Sequence, residues 1–467
     1  MRNSILGFYK KVLVITLATV SLSLFNLPAF TSESKLSDCL LNASSKQLVS
    51  LGQPVAQERL AHKSKIRIGV LPYYFYDENP KILNNFEKSD YLQAVEVIRK
   101  LSNNTISIDV VFFPSYKIDK PASSLTNILK QKNRDFNDIE NSTWGFVKKT
   151  ILEADKDINF SAVDSVILEG NILEQSFSGA EAMVFLRGSQ GNVYEYWEND
   201  FFKPLKTKEG FVDNAILLIG HKSVNTISHE LMHNFGLTDL YGSGSGPGLL
   251  SMMALGSGLL NYEKAVLGWF PKTQFTCKNY VDFLNENIVD NELVIDNFKQ
   301  DSIFLLKLSD DKAYLVEVIN RESKSLLVLY LLEQDRRPPI TVFYDANKAF
   351  SNFDIKEARY IGSTYEALDF QLLVKNVSGN TATLNFIPNN LIGSSEAKSL
   401  HQQSLANKEA AEKARAEAAE KARAESNIVV KPKVRVSNKL TIVCVKGKLI
   451  KKLTSVNPKC PVGFKKK

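Results

Sequence analysis

The chain has 467 residues, 44% of them hydrophobic, and a formal net charge of +7 at pH 7. This length and apolar content support two or three cored domains, and beyond the first 30 residues no stretch approaches the ~18 apolar residues of a membrane span. The charge is unevenly placed: residues 428–467 carry twelve Lys/Arg and no Asp/Glu, leaving −5 for residues 1–427. An acidic body with a basic appendage does not fit a nucleic-acid-binding body.

At the N-terminus Arg2, Lys10 and Lys11 precede an apolar run over residues 12–25, followed by Leu27-Pro28-Ala29. This is the pattern of a secretory signal peptide, residues 1–30, and the run is short for an uncleaved anchor. The mature protein is expected to be exported, either free or associated with the cell surface, and monomeric. Export makes the cysteines informative, because an even number in an oxidising compartment implies disulfides. Cys444 and Cys460 are close in sequence and are expected to pair. Cys39 with Cys277 would then staple the N-terminal segment to the end of the region that follows. A free Cys39 thiolate capping a metal in a latent form has no supporting motif.

Residues 31–64 are polar and weakly patterned, and read as a leader or pro-segment. From Lys65 the pattern sharpens. Residues 66–72 and 106–113 predict strands, while 91–101 and 144–154 have helical apolar spacing. Residues 162–168, 182–186 and 215–219 add three further strands. Alternating strands and helices predict a mixed sheet with helices packed on it, spanning residues 65–278.

The last of these strands leads into Ser228-His229-Glu230-Leu231-Met232-His233-Asn234-Phe235-Gly236-Leu237-Thr238-Asp239. Histidine is scarce, with only five in the chain, so His-Glu-x-x-His is a specific signal. Residues four apart share one face of a helix, so His229 and His233 can bind one metal ion. Glu230 is placed to act as general base toward a water at that metal. Val224, Ile227, Leu231 and Phe235 form an apolar stripe on another face, so the helix can pack and bind metal at once. Gly236 suits a helix stop. After that reversal Asp239 could return as third ligand to a tetrahedral Zn2+ with an open fourth position.

Residues 65–275 resemble the bacterial immune inhibitor A family of secreted zinc peptidases. The likeness is carried by the stretch from His229 to Tyr241, by Ser251-Met252-Met253, and by Asn261-Tyr262-Glu263-Lys264-Ala265-Val266-Leu267-Gly268-Trp269. It implies a zincin-like fold, His229 and His233 as zinc ligands, Glu230 as catalytic base, and Met253 or Met252 beneath the metal. The family often has proline where Thr238 stands and an acid where Gly242 stands. The third ligand stays open between Asp239, at metzincin-like spacing, and Glu263, thirty residues after His233 in a thermolysin-like arrangement; a structural carboxylate is the other reading of Glu263. Tyr241 and Tyr262 are candidates for holding an oxyanion, although each also reads as an aromatic packed against the core. His221 reads as structural.

After Trp269 short strand patterns follow without helices, at residues 304–308, 313–318, 326–330, 340–344, 370–374 and 381–386, which predicts a β-sandwich over 280–390. Residues 395–427 form an Ala-rich charged spacer in which Ala411 to Ala418 recurs nearly unchanged as Ala419 to Ser426. Its i,i+4 Glu/Lys pairs support a solvated helix, and no apolar heptad seam points to a coiled coil. Residues 428–467 form a small basic module suited to an anionic cell-surface polymer, or simply a solubilising tail.

The class expected is therefore α+β: a zincin-like domain, a β-sandwich, a helical spacer and a basic module. The expected function is a secreted zinc endopeptidase acting on protein or peptide substrates. The competing readings are a catalytically silent zinc-containing surface-binding protein, against which the intact Glu230 argues, and a zinc amidase acting on cell-wall peptides.

Overall fold

The computed structural model describes residues 36–44, 50–130, 142–171, 179–184, 204–219, 222–241, 246–285, 291–321, 324–343, 360–361, 370–427 and 440–467. The expected signal peptide, His221, Gly242 and residues 185–186 lie outside them. The fold is mixed α+β with several sheets.

After α1 (Leu36–Cys39), the chain enters β1 (Lys65–Phe75), which is long and almost wholly buried. Helix α2 (Asn85–Leu101) opens on an Asn84 capping box and returns the chain to β2 (Ser107–Phe112), parallel to β1. The short β3 (Tyr116–Ile118) pairs with the end of β1, and α3 (Ser123–Lys130) and α4 (Thr143–Ala154) follow. Next come β4 (Ser165–Glu169) and β5 (Gly179–Val184), a short pair β6 (Leu205–Lys206) and β7 (Phe211–Val212), and β8 (Asn214–Ile219). The main sheet runs β2-β1-β4-β8-β5, parallel throughout except for β5, which is antiparallel to β8 at the edge.

Period-two alternation places a core on each side of this sheet. Ile66, Ile68, Val70, Ile167, Ile216 and Leu218 face the core that contains α2 and α5 (Val224–Phe235). Leu71, Tyr73, Phe75, Val166, Leu168 and Leu217 face Phe146, Val147 and Ile151 of α4. Continuous apolar strands such as β4 and β8 are what a sheet covered on both faces requires.

Beyond α6 (Asn261–Val266), β9 (Phe275–Asn279) and α7 (Tyr280–Asn285), the chain forms two further sheets. One contains β11 (Ser302–Ser309), β12 (Lys312–Arg321), β13 (Lys324–Glu333) and β14 (Ile340–Val342), in the order β14-β13-β12-β11-β9. The other contains β10 (Glu292–Ile295), β15 (Tyr360–Ile361), β16 (Phe370–Ser378) and β17 (Thr381–Pro388), in the order β10-β17-β16-β15. Phe304, Leu306, Tyr314 and Leu329 of the first pack with Phe370, Leu372 and Phe386 of the second. The alternate residues of the first sheet, Leu305, Leu315, Tyr330 and Leu332, belong to the same core as Phe235 and Trp269. The boundary expected near residue 280 is thus not a seam, because β11–β13 are apolar on both faces and bridge the two regions.

The segment expected as a leader is also woven in. Leu41, Leu51, Val55 and Leu60 are buried in the core around α5. Cys39 is bonded to Cys277 across 238 residues. Gln334 donates to the Leu51 carbonyl at 2.5 Å, and Ser44 to Asp335 at 2.7 Å. These residues are spaced without period because the segment is mostly irregular coil, which is why the sequence pattern understates its burial.

Helix α8 (Ser395–Asn427) is not a spacer from its first turn. Ala397 and Leu400 are buried with Leu373 and Ile387, and Ser404 donates to the Val374 carbonyl at 2.7 Å. The compact unit ends at Asn407, and a second unit runs from Lys408 to Lys467. Taken by itself, that second unit closes on β18 (Leu440–Lys446), β19 (Leu449–Ser455) and β20 (Lys465–Lys466), with Cys444 bonded to Cys460. Among the described residues no helix is long and apolar enough to cross a membrane.

Candidate metal centre

Helix α5 begins at Ser223, whose hydroxyl accepts from the Thr226 N–H at 3.1 Å. Ile227, Leu231 and Phe235 anchor it in the core, leaving His229 and His233 partly exposed on another face. It stops at Gly236, which adopts φ +120°, with its N–H returned to the Met232 and His233 carbonyls. A Cβ at Gly236 would meet Val55 Cγ1 at 2.8 Å, so both the backbone angle and the N-terminal segment require glycine here.

The reversal brings Asp239 back over the helix. Its Oδ1 lies 3.2 Å from Nε2 of His229 and 3.2 Å from Nε2 of His233. The ligand atoms of His229, His233 and Asp239 all lie within 4.8 Å of one another. The other ring nitrogens are held by carbonyls: His229 Nδ1 donates to the Met252 oxygen at 2.6 Å, and His233 Nδ1 to the Leu237 oxygen at 2.8 Å. A carbonyl only accepts, so each ring carries a proton on Nδ1: a ring protonated on both nitrogens donates from Nε2 to Asp239, and the neutral ring that a bound metal would require presents its Nε2 lone pair to the same point. Two imidazole nitrogens and one carboxylate oxygen are a donor set that suits Zn2+ with three protein ligands.

Electrostatics follow from this packing. Burial pushes the Asp239 carboxyl up, but hydrogen bonds from His229 and His233 outweigh it and hold the group well below the usual carboxylate range. Burial pulls His229 down, and its bonds to Asp239 and the Met252 carbonyl reverse the direction, so it stands above an ordinary histidine. Burial raises the Glu230 carboxyl, against the nearby histidines and a hydrogen bond from the Ala182 N–H of edge strand β5. Glu230 is thus a buried carboxyl next to the histidine pair.

Glu263, the other candidate ligand, is not in this cluster. It is fully buried; Ser251 Oγ donates to its Oε1 at 2.9 Å and the Leu260 N–H to its Oε2 at 2.7 Å. Burial pushes it up to about 8. Its role is indirect: Ser251 Oγ also accepts from the Met253 N–H at 3.0 Å, which shapes the turn whose Met252 carbonyl holds His229. The same turn accepts the Leu240 N–H on the Met253 carbonyl at 2.7 Å, next to Asp239. Met252 and Met253 are both buried.

The two tyrosines separate. Tyr262 is buried, and its hydroxyl accepts from the Leu41 N–H at 3.0 Å, a core role. Tyr241 is 55% exposed, with its ring stacked 6.0 Å from that of His229, so it is not packed in the core but lies beside the His229–His233–Asp239 cluster.

Two supports have no motif to betray them. Arg59, 2% exposed, donates from Nη1 to the His233 carbonyl at 3.3 Å and braces the end of α5 from behind. Burial lowers this guanidinium to about 10, against the pull of Glu58. Glu317 of β12 accepts from the Asn261 and Tyr262 N–H groups at 2.9 and 2.7 Å, and from the Tyr330 hydroxyl at 2.6 Å. It holds the start of α6, and with it Glu263. Only a buried acid in a strand otherwise apolar hints at such a role in the sequence. Searched against protein-family models and against curated proteins, the chain gives no significant match.

Proposed function

We propose that the protein is a secreted zinc metalloendopeptidase, with His229, His233 and Asp239 holding the metal and Glu230 as the general base. The observation that carries this reading is the convergence of His229 Nε2 and His233 Nε2 on Asp239 Oδ1, at 3.2 Å each. A parallel sheet with an antiparallel edge strand beside the His-Glu-x-x-His helix supports the zincin-like reading of this region, and the two facing sheets beyond it support the β-sandwich. A bound zinc ion would supply Lewis acidity, polarising a substrate carbonyl and bringing the pKa of water to about 7.

The residues of the chain supply the rest. Glu230 removes a proton from the attacking water and returns it to the leaving amine. Met252 and Leu237 hold the histidine rings in the ligating tautomer. The outer edge of β5 offers backbone groups against which an extended peptide can align. Tyr241 places a phenol beside His229 where charge would develop on the substrate oxygen. Two disulfides and the signal-peptide pattern support export.

The test is digestion of an unbiased peptide library by the protein and by Glu230→Gln, with bound zinc measured in both. Zinc in both, and cleavage reduced about 10³-fold or more in the variant, is the expected result. Zinc without cleavage by the wild type would favour the silent binding protein. Cleavage confined to cell-wall peptides would favour the amidase.

A further inference from the structure

The second unit ends in a sheet built on charge. Residues 440–467 contain eight lysines and no acidic residue, and all eight lysines are exposed. Among the residues described there, Cys444 alone is buried, so the hairpin is held by its ladder and the Cys444–Cys460 bond rather than by a core. Such a unit exposes nearly all it has.

The register shows how the cations are distributed. Cys444 of the central strand lies opposite Lys451 on one side and Lys466 on the other. Directly opposed residues share a face, so these lysines stand on one face, roughly 10 Å apart across two strand spacings. Val445 lies opposite Ile450 and Lys465, and Val443 opposite Lys452, which places Lys452 and Lys465 on the other face. Lys448 sits at the hairpin turn between β18 and β19. The charge therefore surrounds the sheet.

That distribution selects among polyanions. A membrane meets one face, and the exposed apolar residues of the strands are dispersed: Leu440 (61%) and Leu449 (66%) lie at opposite ends of the Cys444 face, roughly 20 Å apart, and Ile450 (62%) points to the other face, while Val456 and Val462 lie outside the strands. Single-stranded nucleic acid needs aromatic platforms; the one aromatic here, Phe464, is half-buried with Lys451 Nζ 5.6 Å from its ring centroid. Base reading favours arginine forks, and residues 440–467 contain no arginine. Lysines act as point charges on flexible stems and suit a flexible chain carrying one charge per repeat.

We propose that this unit binds a linear, non-aromatic polyanion of the kind found in phosphodiester- or uronate-bearing cell-wall glycans, engaging it on both faces of the sheet. The proposal is independent of the metal site, so failure of the peptidase reading leaves it standing.

The experiment measures binding of the full chain to immobilised polyglycerol phosphate and to polygalacturonate, with phosphatidylglycerol vesicles and duplex DNA as competitors. Binding to one or both glycans is expected, weakening about 50-fold between roughly 50 and 200 mM salt if about four charges are neutralised. The variant Lys451→Gln/Lys452→Gln/Lys465→Gln/Lys466→Gln should lose nearly all of it, and the same four positions changed to arginine should keep it. Equal binding by the glutamine variant, loss in the arginine variant, or no glycan binding at low salt would overturn the proposal. Tighter binding to vesicles would reassign the sheet to a lipid surface, and tighter binding to DNA to nucleic acid; either result also overturns it.

Discussion

The region around α5 and the sheet of residues 440–467 are organised by opposite means. Around α5 the groups that position the site have specified partners: Met252 and Leu237 hold the histidine rings, Ser251 holds the turn, Glu263 holds Ser251, and Arg59 braces the helix end. In the basic sheet the side chains are exposed, and one cysteine is the only buried residue among those described. Position decides chemistry in the first, and charge density in the second. Single-atom changes should therefore matter in one, and ionic strength in the other.

The largest effect should come from releasing the staple beneath the first region. Replacing Cys39 and Cys277 together by serine opens a loop spanning 238 residues. A loss of about 3–5 kcal/mol is expected, read as a lowered unfolding midpoint in urea. An unchanged midpoint would mean that the buried leucines of the N-terminal segment suffice without the bond.

Next in size is the turn under His229. Ser251→Ala removes the donor to Glu263 and the acceptor for the Met253 N–H, both buried. Zinc affinity should fall by about 10- to 100-fold, the usual cost of losing a group that orients a ligand, while the salt dependence of glycan binding stays the same. If affinity does not change, the turn is held by its other bonds, and the two regions differ less in how position governs them.

The third effect is a slope, small over any one pH unit. Burial raises Glu263 from its ordinary 4.5 to about 8, and Glu317 from 4.5 to about 7. Both favour the protonated carboxyl when folded, so their contribution is complete below about pH 4.5 and is lost as pH rises through 7 and 8. Each group should lower stability by roughly 1.4 kcal/mol per pH unit between about pH 5 and its folded value, so the slope is about twice as steep below pH 7 as between 7 and 8, measured by thermal unfolding at a series of pH values. Glu263→Gln, which cannot ionise, should flatten the upper part of the curve.

Some of this organisation was legible in the sequence. The helix face bearing His229 and His233, its glycine stop and the return of Asp239 follow from spacing alone, because each depends on residues within one or two turns of one another. Both cysteine pairs follow from counting and proximity. The strands of the main sheet are marked by apolar runs, although 162–168 ran early: residues 160–162 form a short 3-10 turn before β4. What was not legible depends on distant partners. Leu41, Leu51, Val55 and Leu60 have no period, so nothing local marks them as core. Glu263 could not be told from a ligand until Ser251 and Leu260 were seen to hold it. Tyr241 read either as an oxyanion candidate or as a core aromatic, and it lies exposed beside His229. The division expected at 280 failed for a physical reason: β11–β13 are apolar on both faces, and a strand pattern of that kind signals burial without saying against what.

The threading of the N-terminal segment also constrains how the molecule comes into being. Leu51 is held by Gln334, the Leu41 N–H by Tyr262, and Cys39 by Cys277. During synthesis Leu41 waits 221 residues for Tyr262, Cys39 waits 238 for Cys277, and Leu51 waits 283 for Gln334. The contact order of this region is high, so its folding cannot be completed piece by piece during synthesis. The candidate site is supported by residues as far apart as Arg59 and Glu317, so it can take shape only after the chain between them has been made.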